Sequence, residues 1–203
     1  MTSHSDVPRA AVAIPHPRVQ RPTRDHVLKY ARDLFVQGQR VDMRTIADHL
    51  GIGRTTLYRW VGDRDQLLGE VIAELTRRTE RIAAQRAQGE GLERALDILR
   101  RFMQVTASFE PLCQFARREP LVALQVLLAE SGAVAATLRQ LIRTTLDGNL
   151  PPEFVPVDDE LVDVIVQLGT ALEWSPIVIG EQPAIDRSVH LMRSVIQGSI
   201  PHS

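Results

Sequence analysis

The sequence is short of cysteine, aromatic residues and long apolar runs, and each shortage excludes a class of protein. A single cysteine, Cys113, leaves no intramolecular disulfide and no cysteine-based zinc site, and it fits a reducing cytoplasm. The six histidines, His4, His16, His26, His49, His190 and His202, do not fall at metal-ligand spacing, so no metal is expected. Neither standard phosphate-cradling glycine loop is present, and Cys113 lacks a local nucleophile signature; the chain is expected to be neither an enzyme nor a cofactor protein. Residues 1–21 have no apolar core of the secretory kind, and no later run is expected to cross a bilayer. Repeats of fixed period and strand-rich stretches are also missing, which leaves an all-α fold.

What is present is an ordinary globular composition, 203 residues with 44% hydrophobic content and a net charge of −1. The charge is unevenly placed. Residues 1–70 hold 11 Lys and Arg against 8 Asp and Glu, while residues 71–203 hold 13 against 17. A basic first part and an acidic second part run in the direction expected if the first part meets nucleic acid.

The stretch from Val41 to Leu68, VDMRTIADHLGIGRTTLYRWVGDRDQLL, carries the strongest pattern. Asp42 stands as an N-cap before a short amphipathic helix that places Ile46, Ala47 and Leu50 on one side. Gly51-Ile52-Gly53 then makes a turn, with both glycines open to backbone conformations closed to other residues. A second helix, Arg54 to Val61, turns Leu57 and Val61 inward and points Thr55 and Arg59 directly away, with Thr56 and Tyr58 flanking them. Two such helices about a tight turn are a helix-turn-helix, and an Arg/Thr/Tyr face at a helix start suits a DNA groove and its phosphates. Asp63 with Gln66 three residues on is a variant capping box that opens a third helix.

The segment IADHLGIGRTTLYRWVGDRDQLL resembles the DNA-binding signature of the TetR family of bacterial regulators, over residues 24–72. Gly53 stands where Ser is usual, Thr55 where Gly is frequent, and Trp60-Val61 replace the usual residue order at the helix end. These departures bear on base preference rather than on fold. The resemblance implies DNA contacts from Arg44, Arg54, Thr55, Thr56, Tyr58, Arg59 and Trp60. It also puts Arg64 in place of a Lys that touches phosphate at the start of the following helix. It further implies a dimer formed through the final helices. The tail ALEWSPIVIGEQPAIDR is similar to that of the QsdR-type regulators, a likeness associated with lactone and quorum-signal catabolism.

The remaining chain divides into three expected parts. Residues 1–21 read as a disordered arm in which Arg9, Arg18 and Arg21, with Arg24 beyond it, stand ready for a DNA backbone. Residues 22–68 form the helix-turn-helix head, whose first helix is capped by Thr23 and carries Val27, Leu28, Ala31, Leu34 and Phe35 on one stripe. Residues 69–203 form a helical body for effector binding and dimerisation. It begins with a long helix reaching toward Gly89, and Pro111 and Pro120 open two later helices. The segment LVDVIVQLGTALEWSPIVI is apolar around most of its circumference, and with the stripe Ile185, Val189, Met192, Val195, Ile196 it predicts a four-helix interface between two copies. Val166 and Val195 are expected to lie in that interface. Phe102, Phe109 and Phe115 gather around Cys113 in sequence, and Glu173-Trp174 sits inside the most apolar helix. These six are expected to line an apolar effector cavity, in which Glu173 needs a polar partner.

The expected protein is a cytoplasmic, ligand-responsive regulator: a dimeric repressor on a palindromic operator, released by a small apolar effector of lactone or acyl type. Two other readings fit the same residues. One is a regulator of this fold controlled by a protein partner or by no ligand; the other is an interaction module whose helix-turn-helix no longer binds DNA.

Overall fold

The helical periodicities become helices one for one in the computed structural model, which describes residues 21–199; the arm's Arg9 and Arg18 lie outside these residues. Helix α1 (Arg24–Val36) starts at Thr23, whose backbone N–H donates to His26 Nδ1 at 3.1 Å, and it buries Val27, Ala31, Leu34 and Phe35. Helix α2 (Met43–Leu50) is capped by the Asp42 carboxylate, which accepts the Thr45 N–H at 2.9 Å. Gly51 ends it in the left-handed region (φ 63°), and the Ile52 N–H returns to the Ala47 carbonyl at 3.0 Å, a Schellman closure. Gly53 instead has φ −68°, backbone that any residue adopts, so one left-handed glycine rather than two makes this turn.

Helix α3 (Arg54–Val61) buries Leu57 and Val61. Gly62 follows at φ 69°, ψ −143°, a conformation essentially confined to glycine, and a Cβ there would lie 1.6 Å from Gln66 Oε1. That oxygen accepts the Asp63 N–H at 3.0 Å, while Asp63 accepts the Gln66 N–H at 2.8 Å, completing the capping box of α4 (Arg64–Arg86). Gly62 therefore leaves the space in which the cap forms. The sequence boundary between residues 68 and 69 falls inside α4, which runs from head to body without a break.

The body continues with α5 (Gly91–Ser108), α6 (Glu110–Arg118), α7 (Pro120–Leu128), α8 (Ala133–Asp147), a short 3-10 turn at Pro152–Phe154, α9 (Asp159–Val178) and α10 (Ile185–Ser199). No strand occurs among the described residues. Two apolar cores hold these helices. The first joins Val27, Phe35, Ile46, Leu57 and Leu67 of the head to Leu112, Phe115 and Ala123 of α6 and α7 and to Ile177 at the end of α9. The second lies between α5, α8, α9 and α10 around Leu96, Leu146, Ile165 and Ile196. Fully burying a side chain such as Leu57 or Ile165 contributes about 1.5–3 kcal/mol. Because the first core spans head and body, a shift of α6 or α7 reaches the head through packed side chains.

Helix α9 departs from expectation in two ways. Its length and mean hydropathy of 1.3 match what a membrane span needs, although no such run was expected; one face, with Val162, Ile165, Trp174 and Ile177, is packed inside the bundle. Val166 also points inward, so it is not an outward interface position; Val164, two residues earlier, is the one left 41% exposed. Half-buried Leu168 and Leu172 and exposed Ala171 share that outer side, while on α10 Leu191 is half-buried and Val195 flanks the buried face against the second core. At Gly169 the two helices approach so closely that a Cβ would stand 2.6 Å from Met192 Cε.

Candidate nucleic-acid interface and effector pocket

The outer face of α3 is built by a register that leaves Leu57 and Val61 to anchor the helix. Arg54, Thr55, Tyr58 and Arg59 are consequently exposed, Tyr58 at 49%, whereas Thr56 and Trp60 are half-buried. No hydrogen bond or ion pair ties the side chains of Arg54, Thr55, Tyr58 or Arg59 among the described residues. Trp60 packs on the head core, and its carbonyl accepts Arg24 Nε at 2.9 Å. Arg44, on α2, is exposed with Asp48 one turn away at 3.7 Å, a loose pair that solvent screens. Tyr30 of α1 stacks flat on His49 of α2, with ring centroids 3.8 Å apart, and fixes the angle between those helices.

Arg64 is placed differently from the rest of the expected DNA-contact set. Its Nε donates to the Val41 carbonyl at 2.7 Å, and its two terminal nitrogens hold the Glu119 carboxylate at 2.7 and 2.8 Å. The fork-to-fork pair keeps Glu119, at the junction of α6 and α7, below the usual carboxylate range. In this conformation the guanidinium is committed to the joint between head and body. Arg118 adds a second tie there, reaching the Gly38 carbonyl at 3.3 Å.

The body encloses a cavity of about 50 Å³ where α4, α5, α8, α9 and α10 converge under α6 and α7. Three of the six expected pocket residues meet there: Phe102 from α5 and Glu173 and Trp174 from α9. The other three stand elsewhere. Phe115 turns toward the head and meets Phe35 edge-on at 5.8 Å. Phe109 caps α6 and packs on the first core. Cys113 sits behind the wall with Sγ 3.3 Å from the Ala107 carbonyl, and burial raises its thiol pKa. Closeness in sequence misplaced them, because α6 turns its Phe115 side to the head rather than to α9.

Sequence reasoning missed Thr106, Thr170, Met103 and Met192, which also line the cavity. Thr106 and Thr170 had a legible signal: the first stands one turn beyond Phe102 on the same face of α5, the second one turn before Trp174 on the same face of α9. The Thr106 hydroxyl is hydrogen-bonded to Oε1 of Glu173, a residue only 4% exposed. Burial pushes the Glu173 carboxyl up to about 8, and the Thr106 bond only partly opposes it. At neutral pH the pocket therefore holds a carboxylic acid, not a carboxylate.

Among known proteins, the sequence profile described as "Tetracyclin repressor-like, C-terminal domain" matches residues 90–197. The fold is similar to that of the transcriptional repressor QsdR from the TetR family of R. erythropolis. That match has 28% identity over 89% of this chain and 97% of that one, with a TM-score of 0.78. A transcriptional regulator of Streptomyces coelicolor aligns at 15% identity over 86% and 98% of the two chains with a TM-score of 0.48. PfmR, a TetR-family regulator of Thermus thermophilus, aligns at 17% over 89% and 99% with a TM-score of 0.39. No curated protein matches the sequence.

Proposed function

The chain belongs to the TetR family of transcriptional regulators, and we propose that it is a repressor which occupies a near-palindromic operator as a homodimer and leaves it when a small, mainly apolar effector enters the body. The observation that carries this reading is the face of α3, where Arg54 and Arg59 stand exposed. A guanidinium left free at a helix start is ready for a base edge or a phosphate. Residues 22–68 act as the head, and Arg44, Thr55, Thr56, Tyr58 and Trp60 complete its contact face. Arg64 acts on DNA only after leaving Glu119. Dimerisation uses the outer faces of α9 and α10, where Val164, Leu168 and Leu172 need cover. The overall likeness to QsdR is what supports the same subgroup.

Retention on random and operator duplexes across a salt series tests the DNA reading, since phosphate binding must weaken steeply as salt rises. Effector-induced release from the operator tests the rest. Phe102→Ala and Trp174→Ala proteins that stay folded and bind DNA are expected to lose that release. A second reading has one observation in its favour: a 50 Å³ cavity holds only a few waters, as a packing void would. In that case the regulator answers a protein partner or no ligand, and no small effector releases the wild-type protein from the operator; release unchanged in both variants would place the pocket elsewhere.

A further inference from the structure

The effector reading above leaves open what chemistry the pocket selects, and the inference here rests on that reading. Among the described residues its walls contain one ionisable side chain, Glu173, and no Lys, Arg or His. Of its three threonines, Thr170 donates through Oγ1 to the Val166 carbonyl at 2.6 Å, and Thr106 gives its one hydroxyl proton to Glu173. Glu173 touches Thr106 through Oε1, and Oε2 has no hydrogen-bond partner among the described residues. That oxygen and the Thr76 hydroxyl, which has no hydrogen-bond partner among the described residues, are the polar groups left to meet a ligand.

Charged groups on every neighbouring helix are held away from it. On α4, Glu74 pairs with Arg32 and Arg77 bonds to Thr137. Arg100 and Arg101 of α5 pair with Asp186 and Asp97. Arg139 and Arg143 of α8 pair with Asp163 and Asp159 on the outer side of α9, and Arg193 of α10 pairs with Glu93. His190 and Arg187 of α10 are exposed, and α7 has no ionisable residue. Glu110, Arg117 and Arg118 of α6 are exposed too, which leaves Cys113 facing inward from that helix, neutral through burial. An anionic ligand would find no cation here. A cationic one would need an ionised Glu173 buried with it among apolar walls, where desolvation opposes both charges.

We propose that the effector is an uncharged molecule with an apolar chain and one carbonyl oxygen, which accepts a hydrogen bond donated by the neutral carboxylic acid of Glu173. Met103 and Met192 give the chain its room, because unbranched thioether side chains repack at low cost. Thr106 positions the acid by holding Oε1, which leaves Oε2–H directed at the ligand.

The full-length protein titrated calorimetrically with three chain-matched probes, decan-2-one, decanoate and decyltrimethylammonium, tests this. At pH 6.5 the ketone is expected to bind at least ten-fold tighter than either ion. Its affinity then falls about thirty-fold by pH 9.5, as a donor titrating near 8 loses its proton. Glu173→Gln, which keeps an uncharged donor, is expected to bind the ketone without that pH dependence. Tighter binding of either ion, or ketone affinity unchanged with pH in the wild-type protein, overturns the inference while leaving the pocket in place. Binding of none of the three removes the effector pocket itself, and this inference with it. The wild-type pH series decides the matter even if the variant does not fold.

Discussion

The two arginines of α3 and five of the body have opposite fates. In the body, Arg100 is spent on Asp186, Arg101 on Asp97, Arg139 on Asp163, Arg143 on Asp159 and Arg193 on Glu93, while Arg78, Arg81, Arg86 and Arg187 stay unpaired among the described residues. On α3, Arg54 and Arg59 have no carboxylate within 4 Å among the described residues. Pairing fixes one geometry and uses up the donors; leaving them open keeps five N–H groups per side chain available to another molecule. The pocket inverts this logic. There the one ionisable group among the described residues is withdrawn from water and kept neutral, so that it selects against charge instead of seeking it. One chain thus contains an exposed pair of unpaired guanidinium groups and a buried carboxyl with no cation beside it, among the described residues.

The comparison breaks most directly at α3. Arg54→Ala combined with Arg59→Ala is expected to cost at least about 3 kcal/mol in DNA binding, more than a hundred-fold, and to lower the salt slope by about two. Folding stability stays within about 0.5 kcal/mol, because neither side chain touches the core. Fluorescence anisotropy over a salt series, with a thermal melt beside it, checks both halves. A double variant that melts early would mean that these arginines are structural after all.

Next in size is the interior. Glu173 has a folded pKa of about 8 against an ordinary value of 4.5, so the native state keeps a proton that the unfolded chain releases. Wild-type stability must therefore fall as pH rises from about 4.5 to about 8. Glu173→Gln removes that dependence and is expected to be the more stable protein at pH 8, by roughly 2–4 kcal/mol, with the gain vanishing toward pH 4.5. Urea unfolding of both proteins at pH 5 and pH 8 measures it. Equal differences at the two pH values would show that the carboxyl is ionised throughout.

The two turns that flank α3 each contain a glycine that sharpens the comparison. Gly62→Ala places a Cβ against Gln66 in glycine-only backbone and is expected to destabilise by about 1–3 kcal/mol. Gly53→Ser, in ordinary backbone with open space around it, adds an N-cap oxygen and stabilises by about 0.5 kcal/mol. Chemical denaturation of the two variants separates them.

The smallest effect belongs to the joint. Glu119→Gln weakens a partly exposed ion pair at a cost of about 1 kcal/mol and frees Arg64. DNA affinity then shifts alike for operator and scrambled duplexes, since this residue reads no base. A change in preference between the two duplexes would instead place Arg64 among the base-reading residues.

The head was legible because its determinants are local. Asp42 and Thr45, Gly51 and Ala47, and Asp63 and Gln66 are each within four residues of one another, and hydrogen bonds over that span follow from residue type and spacing. Gly62 escaped notice because its constraint lies in the ψ angle and the Gln66 side chain, neither of which composition reveals. Arg64 was legible as a position and not as a conformation, because Glu119 lies 55 residues away.

By itself the sequence determined the helices, their caps, the helix-turn-helix and the outward face of α3, because helical periodicity and short-range hydrogen bonding are set within a few turns of chain. Tertiary structure alone decided which residues share the pocket, why Phe115 and Cys113 are outside it, and that Val164 rather than Val166 faces out. It alone joined Arg64 to Glu119 and surrounded Glu173 with apolar walls. Those outcomes depend on how helices far apart in sequence cross and pack, and the local pattern of one helix does not record the rotation that its neighbours impose.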